Sequence, residues 1–272
     1  MKISMMSYTM ARGEWGQNPD VARLCELTRE LGLDAIDWVG TYGHDPDEIR
    51  KITSDFGIAC ACHTFGARLQ VADETERLAA MDVVKEGLHS AVRLGTDKVM
   101  IVLSGIPGQD REQTRAYAIE SLQKVVPLGQ EMGVAVSVEH FPGAASPFAV
   151  SADMNEAIAE VPGLKVTYDN GNAFIGGEDA PDGYTNSKEH VVHAHFKDWV
   201  RDEEGMEALD GNHYRGALIG EGLVDPWPCL QAMKAGGYEG YINFEYEGRE
   251  YTPEEAMRKG LPPLLEMLEK LQ

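Results

Sequence analysis

Eight strand-like runs alternate with helical runs along this chain, and that alternation constrains the fold most strongly. The strand-like runs alternate apolar and polar residues, whereas the helical runs carry apolar stripes, capping residues and terminal glycines. Strands are predicted at residues 2–8, 34–39, 58–63, 97–103, 134–139, 164–169, 190–199 and 241–246. Helices are predicted at 20–31, 45–56, 73–94, 110–132, 151–161, 226–236 and 253–271, with a loop or short irregular helix at 176–187. Eight such units predict an α/β fold, a (β/α)₈ TIM barrel that forms a single domain over residues 1–272.

The overall composition excludes several classes of function. The 272 residues include 45 acidic and 24 basic side chains, and the resulting formal net charge of −21 opposes binding to nucleic acid. No apolar run reaches membrane-spanning length, and the first residues lack a signal-peptide pattern. We therefore expect a soluble, cytoplasmic protein with a small-molecule substrate, a sugar or keto-acid, and no membrane partner. The sequence leaves the oligomeric state open, a homo-oligomer included.

Four predicted strands carry a metal-ligating type of residue near their C-terminal ends, on the face opposite their apolar residues. These residues are Glu139, Asp169, His195 and Glu245. Any one of them alone is compatible with an ordinary polar strand end. Together they offer three carboxylates and one imidazole at the same end of the barrel, a set that suits a hard divalent ion. We predict one Mn²⁺, Mg²⁺ or Co²⁺ ion held by these four residues, and zinc is also compatible.

Four other polar residues are candidates for substrate binding, each with a structural alternative. Lys197 follows His195 by two residues toward the barrel mouth, where its ammonium group could hold a substrate oxygen or simply lie on the rim. His63 ends the third predicted strand and is assigned to its inner face. Asn172 could donate to a sugar hydroxyl or cap a helix, and Glu221, between two glycines, could support the site or form a turn.

Several motifs taken together resemble a known family across essentially the whole chain. They are Ser137-Val138-Glu139, Val166-Thr167-Tyr168-Asp169, His193-Ala194-His195-Phe196-Lys197-Asp198, Gly220-Glu221-Gly222 with Asp225, and Asn243-Phe244-Glu245. In this order and spacing they resemble the xylose isomerase-like TIM-barrel superfamily, specifically its sugar phosphate isomerase/epimerase branch. The resemblance implies one divalent metal on the four predicted ligands and keto-sugar substrates that chelate it through adjacent oxygens. Many members have Asp-x-x-His after strand six, where this chain has Asn172.

The resemblance also implies a reaction. A metal-chelated carbonyl stabilises the enediolate that forms when the neighbouring proton leaves. In the epimerases that this chain resembles, two metal-bound glutamates act on opposite faces of the substrate, and Glu139 and Glu245 are their counterparts here. The leading hypothesis is therefore a metal-dependent isomerase or epimerase of a small sugar or keto-sugar acid.

Three alternatives remain at this point. A lyase or dehydratase acting on a 3-keto sugar or keto-inositol would use the same enolate to expel a leaving group. A phosphodiesterase like the apurinic endonucleases would need more histidines and a basic surface, which the net charge of −21 opposes. A barrel without catalytic activity that only binds a ligand is the third alternative.

Overall fold

Eight parallel strands close into a barrel in the computed structural model, which describes residues 1–13, 15–16 and 18–271. The strands of the barrel, together with the two strands of an additional hairpin, are β1 (Lys2–Met6), β2 (Ala35–Val39), β3 (Ala59–Gly66), β4 (Lys98–Val102), β5 (Ala135–Glu139), β6 (Lys165–Asp169), β7 (Val191–Phe196), β8 (Asp198–Glu207), β9 (His213–Ala217) and β10 (Tyr241–Phe244). The order around the barrel is β1-β10-β7-β6-β5-β4-β3-β2, and β8 and β9 form a separate antiparallel hairpin. The predicted (β/α)₈ barrel is confirmed; residues 14, 17 and 272 of the predicted domain lie outside the described residues.

The helices surround the barrel, and several of them begin directly after an aspartate. They are α1 (Ser7–Ala11), α2 (Val21–Glu30), α3 (Pro46–Asp55), α4 (Glu74–Leu94), α5 (Arg111–Glu131), α6 (Ser151–Glu160), α7 (Asn170–Ile175), α8 (Ala180–Thr185), α9 (Pro226–Ala235) and α10 (Pro253–Lys270). The side chains of Asp20, Asp45, Asp73 and Asp110 accept hydrogen bonds from the first turns of α2 to α5. None of the helices in the described part of the chain combines the length and apolar character that a membrane crossing needs.

The alternation of side chains along the strands separates an apolar layer from a polar interior. Val136, Val138, Tyr168 and Phe196 are buried in the two apolar clusters of the fold. The residues between them face the barrel interior, where the Ser137 hydroxyl lies 2.8 Å from that of Thr167. This alternation aims the last inward-facing residue of each strand at the carboxyl end of the barrel.

His63 is an exception, and its assignment to the inner face is wrong. The pairing of β2 with β3 shifts register between Ile36 and Asp37, so that one extra residue of β3 is accommodated there. Beyond such an irregularity, the residues of the strand that would have faced the barrel interior face outward, and those that would have faced outward face the interior. His63 is consequently buried beside Phe65, with ring centroids 5.5 Å apart, and its Nδ1 lies 3.0 Å from the carbonyl oxygen of Trp38.

The polar segment after β7 forms the β8–β9 hairpin. Asp198 pairs with Ala217 at its base and Glu207 with His213 near its tip. The backbone N–H of Ala144, in the loop after β5, donates to the carbonyl of Glu207 over 2.9 Å. The hairpin is therefore held against a neighbouring loop of the barrel mouth.

Candidate active site

The four predicted metal ligands lie together at the carboxyl end of the barrel. One ligand atom each from Glu139, Asp169, His195 and Glu245 can be chosen so that all lie within 4.8 Å of one another. Glu139 and Asp169 end β5 and β6, His195 lies in β7, and Glu245 directly follows β10. All four side chains are buried. Parallel strands that end at the same level bring together residues far apart in sequence, as the alternation predicts.

The donor atoms of this cluster fit a divalent cation. His195 Nδ1 lies 2.5 Å from Glu139 Oε1 and 3.7 Å from Glu245 Oε2. Among the described residues, Asp169 Oδ2 and Glu245 Oε2 are buried and make no hydrogen bond of acceptable geometry, and the Lys197 ammonium group is the one positive charge that both of them share. Buried carboxylate oxygens without hydrogen bonds are costly unless a cation compensates them. Three carboxylates and an imidazole suit Mn²⁺, Mg²⁺ or Co²⁺, and zinc also accepts such ligands.

The pKa values of the four ligands reflect this crowding of charge. Burial disfavours the Glu139 carboxylate, but the charge and hydrogen bond of His195 outweigh it, so the pKa of Glu139 is below its ordinary value. Burial raises the pKa of Glu245 to about 7, and it raises the pKa of Asp169 as well. Burial opposes charging of His195, yet its carboxylate neighbours raise its pKa well above the usual value. A bound divalent ion would stabilise the ionised form of every carboxylate here.

Lys197 lies at this cluster, as the sequence suggested, and is buried rather than exposed on the rim. Its Nζ atom is 2.9 Å from Glu245 Oε2, 3.3 Å from Asp169 Oδ2 and 3.2 Å from Glu247 Oε2. Burial alone would lower the pKa of Lys197, but these carboxylates raise it well above its ordinary value. The side chain is therefore a charged ammonium group at the edge of the predicted metal site.

Asp37 is a member of the site that the sequence analysis missed. It lies in β2, is completely buried, and its Oδ2 is 2.6 Å from His193 Nε2 and 3.4 Å from His195 Nε2. Burial opposes its ionisation, but the two imidazoles hold the pKa of Asp37 well below its usual range. Asp37 is thus hydrogen-bonded to His193, and its carboxylate lies close enough to restrain the nitrogen of His195 that faces away from Glu139. The sequence does contain a signal for Asp37: it is an aspartate in a predicted strand, and it lies between Ile36 and Trp38, so it faces inward when these two residues face outward.

We expect Asp37→Asn to weaken binding of Mn²⁺ by about 10- to 100-fold, the usual effect of removing a carboxylate that orients a ligating histidine. The affinity can be measured by calorimetric titration of the metal-free protein. Thr64→Val is the matched control, because the Thr64 hydroxyl lies 3.4 Å from the other oxygen, Asp37 Oδ1. Equal affinities for Asp37→Asn and Thr64→Val would contradict an orienting role for Asp37.

Asn172 is buried beside the metal cluster but supports the backbone there. Its Nδ2 donates to the carbonyl of His140 over 2.8 Å, and its backbone N–H donates to Asp169 Oδ1 over 2.8 Å. Asp169 is thereby the cap of α7 through one oxygen, which leaves Oδ2 for a cation. The amide of Asn172 is not part of the cavity wall described below, so these contacts favour a structural role over sugar binding.

Glu221 lies outside the site, and the glycines around it serve Asp198. The Glu221 side chain is exposed and pairs with Lys259 at 2.8 Å. Asp198 instead accepts hydrogen bonds from the backbone N–H groups of Trp199, Gly220, Gly222 and Val224 at 2.8 to 3.0 Å. A Cβ atom at Gly222 would collide with the Asp198 carboxylate. The Gly-Glu-Gly motif therefore shapes a loop around a buried carboxylate, and the substrate-binding assignment of Glu221 is not supported by its position.

We expect Asp198→Ala to lower the free energy of unfolding by about 3 kcal/mol, because several buried N–H groups lose their acceptor. Thermal and denaturant unfolding measure this loss. Asp225→Ala is the control: Asp225 caps α9 through one hydrogen bond, to Trp227 N–H at 2.9 Å, and should cost about 1 kcal/mol. A cost for Asp198→Ala no larger than that for Asp225→Ala would contradict this account.

A cavity of about 240 Å³ opens onto the cluster. Glu139, His195, Lys197, Glu245 and Glu247 form its polar side. The remaining wall is mainly apolar and is formed by Met6, Val39, Met100, Val102, Phe141 and Pro142, with Tyr8 and Thr64. Ligand sites for drug-sized molecules usually start at about 300 Å³, so this cavity suits a smaller compound.

Fold and site together define a (β/α)₈ barrel with a buried, oxygen-rich cluster for a cation at the carboxyl end of its strands. The family model described as xylose isomerase-like TIM barrel matches residues 25–267. The chain belongs to this family, so the family that its motifs predict is confirmed.

Individual relatives carry the names of two kinds of enzyme. Inosose dehydratase from Lacticaseibacillus casei is 22% identical over 252 residues, covering 82% of this chain and 83% of the relative. The solved structure of the IOLI protein with a bound zinc atom has a TM-score of 0.82 at 16% identity, covering 100% of this chain and 99% of that one. L-ribulose 3-epimerase has a TM-score of 0.80 at 16% identity, with coverages of 99% and 95%. At these identities the structural likeness establishes the fold.

Proposed function

We propose that this protein is a divalent-metal-dependent enzyme that moves a proton next to the carbonyl group of a small keto-sugar, as an isomerase or epimerase. The observation that carries the proposal is the position of Glu139 and Glu245. Both contribute to the candidate metal cluster and both border the same cavity. The relatives named for sugar epimerisation and inosose dehydration support a substrate of this class.

The positions of the two glutamates support a role in proton transfer. The chemistry that a bound divalent ion supplies here is Lewis-acid polarisation of a substrate carbonyl. Glu139 ends β5 and Glu245 follows β10, and β6 and β7 lie between these strands in the barrel. The carboxylates therefore reach the cavity from separate sides. If one glutamate removes the proton and the other returns a proton to the opposite face of the same carbon, the configuration of that carbon is inverted. If the first glutamate instead returns the proton to the neighbouring carbon, the result is isomerisation.

Other residues of the cavity bind and shield the substrate. The Lys197 ammonium group is within 3.3 Å of three carboxylates and can also donate to a substrate hydroxyl or carbonyl oxygen. The apolar side chains of Met6, Met100 and Phe141 limit the access of water to the reacting carbon. The Asp37 carboxylate lies 3.4 Å from His195 Nε2, a position from which it can restrain the orientation of the imidazole.

A dehydratase is the second candidate, and the similarity to inosose dehydratase favours it. Removal of the same proton by a glutamate would be followed by loss of a hydroxyl group from the next carbon. Lys197 or the second glutamate could supply the proton that converts this hydroxyl into water. Both reactions therefore begin identically and differ in whether the substrate loses mass.

The test is a survey of ketoses and inososes in D₂O with Mn²⁺, Mg²⁺, Co²⁺ or Zn²⁺ added to the metal-free protein. Nuclear magnetic resonance detects deuterium at the carbon next to the carbonyl, and mass spectrometry detects loss of water. Deuterium incorporation with mass otherwise conserved supports the isomerase or epimerase, and loss of water supports the dehydratase. Absence of both reactions across the survey, with metal binding intact, would indicate a barrel that only binds its ligand.

A further inference from the structure

We propose that Glu247 makes this site selective for uncharged sugars and excludes phosphorylated or carboxylated ones; this proposal rests on the proposed function. Glu247 follows Glu245 by two residues and lies at the cavity wall, with its side chain 21% exposed. Its Oε2 is 3.2 Å from Lys197 Nζ. Glu247 is not one of the candidate metal ligands, so its charge is available to act on the substrate.

Lys197 is the group that would otherwise attract an anion. Among the described residues that form the cavity, it is the only lysine, and no arginine accompanies it. A metal ion on the cluster would draw Asp169 and Glu245 toward itself, whereas Glu247 would still face the ammonium group. Lys197 is thus left with a carboxylate partner, which makes it a hydrogen-bond donor to neutral oxygens rather than a free cation.

The charges around the cavity lead to the same conclusion. Three carboxylates, those of Glu139, Glu245 and Glu247, line it; the Asp169 carboxylate belongs to the same cluster, and the Asp37 carboxylate lies behind His195. The positive groups that oppose them are Lys197 and either the protonated His195 of the metal-free protein or, when bound, a doubly charged ion. An anionic group placed in the cavity would meet a net negative field within a few ångströms, and like charges at such distances disfavour binding strongly.

Arg12 is the group that could reverse this selection. Its guanidinium lies 5.7 Å from the centre of the Tyr8 ring, which forms part of the cavity wall, and it donates to the Tyr246 carbonyl over 3.4 Å. It borders a separate open groove beside the cavity. A substrate long enough to carry a phosphate out of the cavity could meet Arg12 there, so the experiment must include this residue.

The experiment compares matched pairs of ligands on the Mn²⁺-bound full chain: D-fructose with D-fructose 6-phosphate, and D-ribulose with D-ribulose 5-phosphate. Calorimetry gives both affinities. We expect the neutral member of each pair to bind at least about tenfold more tightly than the phosphate ester. In Glu247→Gln, the ratio of these two affinities should fall by about tenfold, because a charge of the same sign as the phosphate is removed. Glu239→Gln is the control, since Glu239 is exposed in a groove with Lys98 and Lys188 at the opposite end of the barrel and should leave the ratio unchanged.

Three results would overturn the proposal. The first is that the phosphate esters bind to the unaltered protein as tightly as the neutral sugars or more tightly. The second is that Glu247→Gln leaves the ratio of the two affinities unchanged. The third is that Arg12→Gln loses binding of the phosphate esters, which would identify Arg12 as the group that binds the anion. None of them affects the proposed proton transfer, which fails separately if no neutral ketose or inosose exchanges deuterium. If neutral members bind no more tightly to the Mn²⁺-bound protein than to the metal-free protein, both proposals are wrong.

Discussion

Glu245→Gln is expected to reduce deuterium exchange into the substrate by about 10²- to 10⁴-fold, the usual contribution of one general acid or base. Glutamine keeps the size of the side chain and a carbonyl oxygen for a cation, but it cannot accept the proton. Glu139→Gln is expected to have a comparable effect, because each glutamate is assigned one half of the transfer. Exchange is measured by nuclear magnetic resonance at saturating substrate and metal.

Metal affinity must be measured on the same variants, since both residues are also candidate ligands. A variant that binds Mn²⁺ tightly yet exchanges no deuterium supports direct proton transfer by that residue. Glu221→Gln is the matched control, because Glu221 is exposed and paired with Lys259 at 2.8 Å. Full exchange activity in both Glu139→Gln and Glu245→Gln would contradict the assignment of the two glutamates.

Addition of Mn²⁺ at about 100 times its dissociation constant is expected to stabilise the fold by about 2.7 kcal/mol. For a chain of this size, that corresponds to a rise in the melting temperature of roughly 5 °C. Asp169→Asn should abolish the rise, because it removes one charged ligand. Without metal, the variant should be at least as stable as the unaltered protein, since asparagine retains the helix cap to Asn172 N–H and one crowded negative charge is gone.

Differential scanning calorimetry with and without the ion gives all of these values. Asp97→Asn is the control: Asp97 immediately precedes β4, at the opposite end of the barrel, and pairs with Lys98 at 2.6 Å. It should retain the full response to Mn²⁺. A response to Mn²⁺ that persists in Asp169→Asn would show that the ion acts elsewhere on the protein.

The fold and the four-residue cluster could be predicted because both depend on local periodicity. In an alternating strand, the apolar face fixes the direction of the other face, and parallel strands bring their last inward residues together. Glu139, Asp169, His195 and Glu245 all follow from that rule, which holds at the carboxyl ends of β5, β6, β7 and β10. The rule needs no knowledge of which strands are neighbours.

Sequence reasoning failed where contacts between segments far apart along the chain, rather than the local pattern, determine the result. The shifted register between β2 and β3 turned His63 away from the interior, and nothing in residues 58–63 alone indicates it. Asp37 was overlooked because its role depends on His193 and His195, which are more than 150 residues away in sequence. The exposed position of Glu221 does not support its assignment to substrate binding: both flanking glycines donate N–H groups to Asp198, and these contacts are visible only in three dimensions.

The β8–β9 hairpin has a consequence for how related chains can diverge. Asp198 and Ala217 pair with each other at the base of the hairpin, so residues can be added or removed at its tip without changing the distance between the two strands at the base. The contact from Glu207 to the loop at Ala144 would change, whereas the strand ends that carry the candidate ligands would not. Replacing this hairpin with that of another family member should therefore change which molecules can enter the cavity without moving the candidate ligands and glutamates at the strand ends.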